Sequence, residues 1–256
     1  MTQEQMQLLI PGKLAEIEKE YGIHILYAAE SGSRAWGTCS EQSDYDVRFI
    51  YIRPREDYLR LAPLRDVLEF PIADGWDMCG WDLRKTLQLL HNSNTQIYEW
   101  FNSPVVYADD GFSERIRPVL DACFSTRTGT HHYLHQTGLK WKKIQKTEEP
   151  KVKHYLYTLQ YLPAARWVME RKCPPPVHFQ TLADTLPGEI RKYAYDMLRR
   201  KTQDPEHRTI DRIPELEQWL DAEQETIRQE ISLMPAEQDK DWQMLDRFFL
   251  SELDLR

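Results

Sequence analysis

The hydrophobic pattern changes character part-way along the chain. Residues 3–21 repeat apolar positions at helical spacing, with Met6, Leu9, Ile10, Leu14 and Ile17 on one face, and Gly22 is a natural stop. Short, β-rich runs follow. Ile23–Ala29 is an apolar strand candidate, Tyr45–Ile52 alternates until Pro54, and Val67–Ile72 and Trp76–Cys79 complete the set. Glu30–Gly37 reads as a turn entering a short helix, and Ser40–Ser43 as a polar loop. From Asp82 the period lengthens: Leu83, Leu87, Leu90, Ile97 and Trp100 read as helix, broken near Asn92-Ser93-Asn94. Beyond about residue 113 the pattern is helical, predicting helices over 130–146, 151–171, 188–202, 214–232 and 239–253. Pro150 and Pro174–Pro176 fall at joints. The predicted class is α+β, a small mixed sheet with flanking helices and then a helical region. The expected division is a domain over 1–112 and a helical domain over 113–256. No internal repeat is present.

Composition narrows the class without naming a chemistry. With 41% hydrophobic and 29% charged residues the chain is expected to fold rather than stay disordered. No apolar run reaches the ~18–20 residues of a membrane helix. The segment Met1-Thr2-Gln3-Glu4-Gln5 lacks the basic and apolar regions of a secretory signal. Cys39, Cys79, Cys123 and Cys173 match neither a zinc knuckle nor a disulfide framework. A cytoplasmic protein with reduced thiols and no membrane partner is therefore expected.

The net charge of -8 argues against a general nucleic-acid coat protein, but its distribution adds a second point. Residues 1–125 carry -8, residues 126–204 carry +8 and residues 205–256 carry -8. A basic middle can meet a polyanion locally. It can equally be a set of ordinary solvated helix faces.

Candidate chemistry concentrates in Gly32-Ser33 followed, after a ten-residue spacer, by Asp44-Tyr45-Asp46. On a strand, residues i and i+2 share a face, so Asp44 and Asp46 would stand side by side. Folding alone gives no reason to pair like charges. A Mg²⁺ (or Mn²⁺) ion removes the repulsion and leaves positions for substrate phosphates. Glycine at 32 permits a tight turn, backbone N–H groups and the Ser33 hydroxyl can hold phosphate, and Arg34 can add a charge-assisted bond. A phosphate cradle beside metal-binding carboxylates is the logic of nucleotidyl transfer.

The runs Gly32-Ser33-Arg34-Ala35-Trp36-Gly37 and Ser43-Asp44-Tyr45-Asp46-Val47-Arg48-Phe49-Ile50-Tyr51 resemble the DNA polymerase β superfamily of nucleotidyltransferases. Within it, the chain resembles the bacterial and phage family called RlaP-like or YcgL-like. Gly80–Lys85, Glu99–Tyr107, Lys153–Tyr157 and Ala164–Trp167 carry the likeness onward, over roughly residues 25–180. The resemblance implies an NTP substrate, a hydroxyl acceptor, release of pyrophosphate and a third carboxylate on a later strand. Asp77 is the candidate for that carboxylate. Asp82 is its rival, although Asp82 before Leu83-Arg84-Lys85 also suits a helix N-cap; Asp74 before Gly75 suits a turn. The resemblance further implies nucleotide contacts from Lys153 and Tyr157, with Arg166 a weaker third because it falls on another helix face unless Pro163 bends the helix. The family's name reflects a link to RNA repair, but the resemblance does not fix the acceptor. RNA 3′ ends, a protein hydroxyl and a small molecule present the same attacking atom, and the basic middle tilts the expectation towards RNA.

Other residues have plainer readings. Arg48 lies two residues beyond Asp46, where it can balance the carboxylates or touch a phosphate. Trp36 and Trp81 suit a core better than base stacking. His131, His132 and His135 lack the Glu of a zincin motif and read as solvated helix residues. Glu215, Glu217, Asp221, Glu223 and Glu225 read as a solvated acidic face. The contrasting functional class is a nucleotide- or RNA-binding protein of the same fold without turnover, such as a sensor or a toxin–antitoxin partner. Nothing in the sequence specifies an oligomeric state.

Overall fold

The computed structural model describes residues 3–72, 75–203, 209–235 and 240–255. The elements run α1 (Gln3–Tyr21), β1 (His24–Glu30), α2 (Gly32–Ala35), β2 (Tyr45–Ile52), α3 (Arg55–Tyr58), β3 (Val67–Glu69), β4 (Trp76–Asp82), α4 (Leu83–His91), α5 (Thr95–Phe101), β5 (Val106–Asp109) and α6 (Phe112–Cys123). Helices α7 (Thr126–Gln145), α8 (Val152–Arg171), α9 (Phe179–Ala183), α10 (Gly188–Gln203), α11 (Pro214–Ser232) and α12 (Trp242–Asp254) follow. The class is the predicted α+β. No helix among the described residues is long and apolar enough to cross a membrane.

The chain forms two compact units. The first comprises Met1–Gly32, Asp44–Cys123 and Asp239–Arg256; the second comprises Ser33–Ser43 and Phe124–Gln238. The division expected at residue 112 therefore lies at Cys123, and α12 rejoins the first unit. Long-range side-chain contacts hold it there. Arg115 of α6 grips Glu252 of α12, a carboxylate only 1% exposed, with two bonds of 2.7 and 2.9 Å. Phe249 of α12 packs edge-on to Tyr58, centroids 5.0 Å apart.

The first unit is built on a five-stranded sheet in the order β3-β4-β2-β1-β5. β1 pairs antiparallel with β2 and β5, β3 antiparallel with β4, and β2 parallel with β4. Met6, Ile10, Leu14 and Ile17 of α1 share a core with Val47, Phe49 and Tyr51 of β2. Leu9 was expected on that face but is exposed, so the stripe is narrower than the sequence pattern suggested. The edge strand β5 is short and carries no long alternating run, so periodicity alone misses it. Gly80 sits opposite Phe49 in the parallel pair, where a Cβ would come within 2.1 Å of the Phe49 ring. Glycine is what lets that ring close over the middle of the sheet.

The second unit packs α7 and α8 against each other, with α9, α10 and α11 completing its core. Ser125 caps α7 by accepting the Thr128 N–H. α8 runs unbroken through Pro163 and ends at Lys172 in the left-handed region, φ 54°. The segment 33–43 packs into this unit. Its Trp36 meets Tyr157 and Tyr161 edge-on at 5.4 and 5.6 Å, and the Trp36 carbonyl accepts the Phe179 N–H at 2.8 Å. Trp36 is thus a core residue, in line with its plainer reading.

Candidate active site

The site begins at the end of β1. Glu30 is the last residue of an apolar strand and is fully buried, which is costly for a carboxylate unless its oxygens are hydrogen-bonded. Oε1 accepts the Asp46 N–H at 2.8 Å, and Oε2 accepts the Tyr107 hydroxyl. The Glu30 carbonyl accepts the Ser103 hydroxyl at 2.6 Å. One residue on, the Ser31 N–H donates to the Asp46 carbonyl at 2.8 Å. Gly32 then turns with φ +59°, and a Cβ there would lie 2.1 Å from Asp46 Oδ2. A side chain at 32 would be both strained and in collision. The turn, the start of β2 and the Asp46 carboxylate are therefore stitched into one piece. Periodicity alone passes over Glu30. The available signal is a charged residue closing an apolar strand immediately before a glycine turn.

The second carboxylate comes from the neighbouring strand. The parallel register of β2 and β4 pairs Asp46 with Asp77 directly. Arg48, two residues along β2, bridges them: Nη2 donates to Asp46 Oδ1 at 3.1 Å and to Asp77 Oδ2 at 2.8 Å. Its other nitrogen, Nη1, donates to the Asp77 carbonyl at 2.7 Å and the Val47 carbonyl at 3.2 Å. Burial pushes the Asp46 carboxyl up to about 6; Arg48 opposes the shift, while Asp77 and Asp44 reinforce it. Asp44 is exposed and precedes β2, which starts at Tyr45, so it flanks the strand rather than lying in it.

The structure occupies Asp82 differently. Asp82 is buried and caps α4, its Oδ1 accepting the Arg84 N–H at 2.8 Å and its Oδ2 the Tyr58 hydroxyl at 3.0 Å. Of the two rivals, Asp77 is the one beside Asp46. Asp74, read as a turn residue, lies outside the described residues.

The remaining candidates belong to the second unit. The Ser33 carbonyl accepts the Thr38 N–H at 2.8 Å, and Arg34 Nη2 donates to the Ser43 carbonyl at 2.6 Å, which braces the 33–43 segment. Lys153 lies in the first turn of α8, and Tyr157, one turn on, carries Lys140 Nζ 5.4 Å above its ring. Arg166 ties α8 to α11 through Glu223 at 2.8 Å and Glu230 at 2.6 Å, so its charge is already taken up. The acidic residues of α11 are only partly the solvated face expected. Glu217 is buried, accepting from the Tyr155 hydroxyl and the Arg212 guanidinium, and Asp221 accepts the Trp141 indole N–H at 2.7 Å. His131 and His135 are exposed.

Does the pair suit a divalent cation? Asp46 and Asp77 offer carboxylate oxygens close enough to share one guanidinium nitrogen, and hard oxygen donors match Mg²⁺ or Mn²⁺. Gly32 leaves the Asp46 carboxylate its seat. Like-charge crowding from Asp77 and Asp44 is the strain that a cation relieves. Among the described residues no three His, Cys, Asp or Glu side chains already converge as a metal site. The pair fits the ion, with the Nη2 edge of Arg48 standing as its present counter-charge.

Comparison with known proteins finds similarity over nearly the whole chain. A family model described as RlaP, the RNA repair pathway DNA polymerase beta family, matches residues 6–251. The chain is similar to the uncharacterized protein YcgL of Bacillus subtilis (strain 168), 35% identical over 252 residues that cover 97% of each chain.

Proposed function

Since the chain belongs to the RNA repair pathway DNA polymerase beta family, we propose that it moves a nucleoside monophosphate from an NTP to a hydroxyl acceptor, releasing pyrophosphate. The acceptor proposed is RNA. The observation that carries this reading is the in-register pair Asp46 and Asp77, with the Gly32 turn locked onto Asp46. Part-buried like charges on adjacent strands repel and gain nothing for folding by themselves, whereas phosphoryl chemistry uses them.

Asp44, Asp46 and Asp77 are the proposed ligands of Mg²⁺ or Mn²⁺. Bound there, the metal would lower the pKa of the acceptor hydroxyl and offset the charge of the triphosphate. Glu30 and Gly32 hold Asp46 in place for that task. The backbone at Gly32-Ser33, the Ser33 hydroxyl and Arg34 are proposed donors to phosphate, with Lys153 and Tyr157 as further nucleotide contacts. The basic stretch 126–204, net +8, suits the backbone of an RNA acceptor.

The test uses each α-³²P-labelled NTP with Mg²⁺ or Mn²⁺, total RNA and a cell lysate. Wild type is run beside the Asp44→Ala/Asp46→Ala double variant. Label appearing with wild type alone supports the transferase, and the labelled species identifies the acceptor. Equal label with the variant removes the carboxylates from the chemistry. Absence of label with NTP binding intact favours a binding protein of the same fold.

A further inference from the structure

The two terminal nitrogens of Arg48 make different bonds. Nη1 is committed to main chain, to the carbonyls of Asp77 and Val47 at 2.7 and 3.2 Å. Nη2 is committed to charge, to Asp46 Oδ1 and Asp77 Oδ2 at 3.1 and 2.8 Å. The side chain is 19% exposed, so the guanidinium is held in place rather than loose in solvent. A planar fork can do both jobs at once, because one edge stays anchored when the other is released.

The carboxylate pair that Nη2 engages is the pair proposed to take a divalent cation. Two cations cannot share them at contact distance without strong repulsion in a part-buried site. A purely structural arginine, by contrast, would organise the carboxylates, and its removal would weaken any cation site. Competition and organisation therefore predict opposite signs for cation affinity.

We infer that Arg48 is a positioning residue that competes with the divalent cation for Asp46 and Asp77. It holds the two carboxylates in register while no cation is bound. When a cation binds, the Nη2 edge gives way and Nη1 keeps its main-chain anchor. The inference rests on the proposed metal role of the pair, and its test separates the two.

Chelator-treated full-length chain is titrated with Mn²⁺, and free Mn²⁺ is followed by its electron paramagnetic resonance signal. Wild type, Arg48→Met, Arg48→Lys and Asp46→Asn are compared. Arg48→Met is expected to bind Mn²⁺ about 10-fold tighter than wild type or better, and to gain the larger rise in Tm on adding Mn²⁺. Arg48→Lys should fall between them, since one ammonium cannot serve two carbonyls and two carboxylates together. Asp46→Asn should lose the site. Equal or weaker binding by Arg48→Met, with wild type binding and Asp46→Asn not, overturns the competition and leaves the metal role standing. No Mn²⁺ bound by any of the folded proteins overturns both. If Arg48→Met does not fold, Arg48→Lys decides: tighter than wild type supports the competition, equal or weaker overturns it.

Discussion

Arg166 and Arg48 are among the arginines that bridge carboxylates, and they do so differently. Arg166 uses separate nitrogens, Nε for Glu223 and Nη1 for Glu230, and the two glutamates stand seven residues apart on α11. Each acid has its own donor, and the hydrogen bonds and charges of the two glutamates raise the arginine's own pKa against the opposing effect of burial. Arg48 asks one nitrogen to serve both Asp46 and Asp77, which crowd each other closely enough that Asp46 is pushed up to about 6, burial being the larger cause. The first arrangement is a satisfied strut between helices. The second is an incompletely neutralised pair, the state in which a site able to accept another cation is expected to be found. How well each charge is answered separates structure from proposed chemistry.

The strongest way to break this contrast is to exchange the two candidate third carboxylates. Asp77→Asn is expected to lower NTP-dependent transfer by about 100-fold or more, the scale of lost charge stabilisation at a metal site. Asp82→Ala should keep transfer and instead lower stability by about 1 kcal/mol through the lost helix cap. Loss of transfer in the folded Asp82 variant, with Asp77→Asn active, would reverse the assignment. Steady-state transfer and chemical denaturation of both variants decide it.

Next in size is Glu30. Replacing it with Ala removes the acceptor of both the Asp46 N–H and the Tyr107 hydroxyl, each lost bond to the carboxylate costing about 1–3 kcal/mol. The expected loss is about 3 kcal/mol in urea denaturation, with Glu30→Gln losing less because one acceptor remains. A Glu30→Ala protein as stable as wild type would mean the turn is not held by this carboxylate. Arg166→Met is smaller again. It should lower stability by about 1 kcal/mol, as expected of a part-exposed pair, and leave Mn²⁺ affinity unchanged. A change in Mn²⁺ affinity there would erase the distinction drawn between the two arginines.

How much of this was visible in the sequence depends on what sets each feature. β2 and α8 were legible because long, regular periods announce them, and α8 starts one residue inside its expected range. Gly32 was legible because few residue types can make a tight turn at positive φ, and Asp46 because a carboxylate at the start of a β-rich run stands out. Three things were not. Glu30 looks like a turn residue until its oxygens are found on Asp46 and Tyr107, contacts 16 and 77 residues away. The choice between Asp77 and Asp82 depends on parallel register, which periodicity does not encode; a shift of five positions along β4 and into its end exchanges a paired acid for a cap. The return of α12 to the first unit depends on Arg115 and Glu252, 137 residues apart, and a charge count by segment places Glu252 with its neighbours rather than its partner. Long-range partners, not local propensity, are what the sequence left unread.

The smallest effect concerns the opposite kind of crowding, in the second unit. His154 is pushed down to about 4 by burial first and then by Lys143, Lys153, Lys140 and Lys151. Its Nδ1 is buried without a hydrogen-bond partner among the described residues. Here the four charges that act most on the imidazole, Lys143, Lys153, Lys140 and Lys151, are all positive. A histidine whose folded pKa is depressed stays neutral while the unfolded chain begins to take up protons near its ordinary value of about 6.5. Its contribution to stability is therefore full above about 6.5 and is lost as pH falls through the window down to about 4. Replacing it by Gln removes the proton uptake altogether. Because the imidazole is part-exposed, solvent screens most of the shift, and the expected difference is about 1–3 °C in Tm for a chain of this size. Wild type should lose more Tm than His154→Gln between pH 7 and pH 4.5, and 0.5 M salt should narrow the gap by screening the lysines. If the two proteins fall in parallel, the lysines do not crowd His154. If salt leaves the gap unchanged, burial alone is responsible, and the like-charge contrast with Asp46 and Asp77 has to be given up.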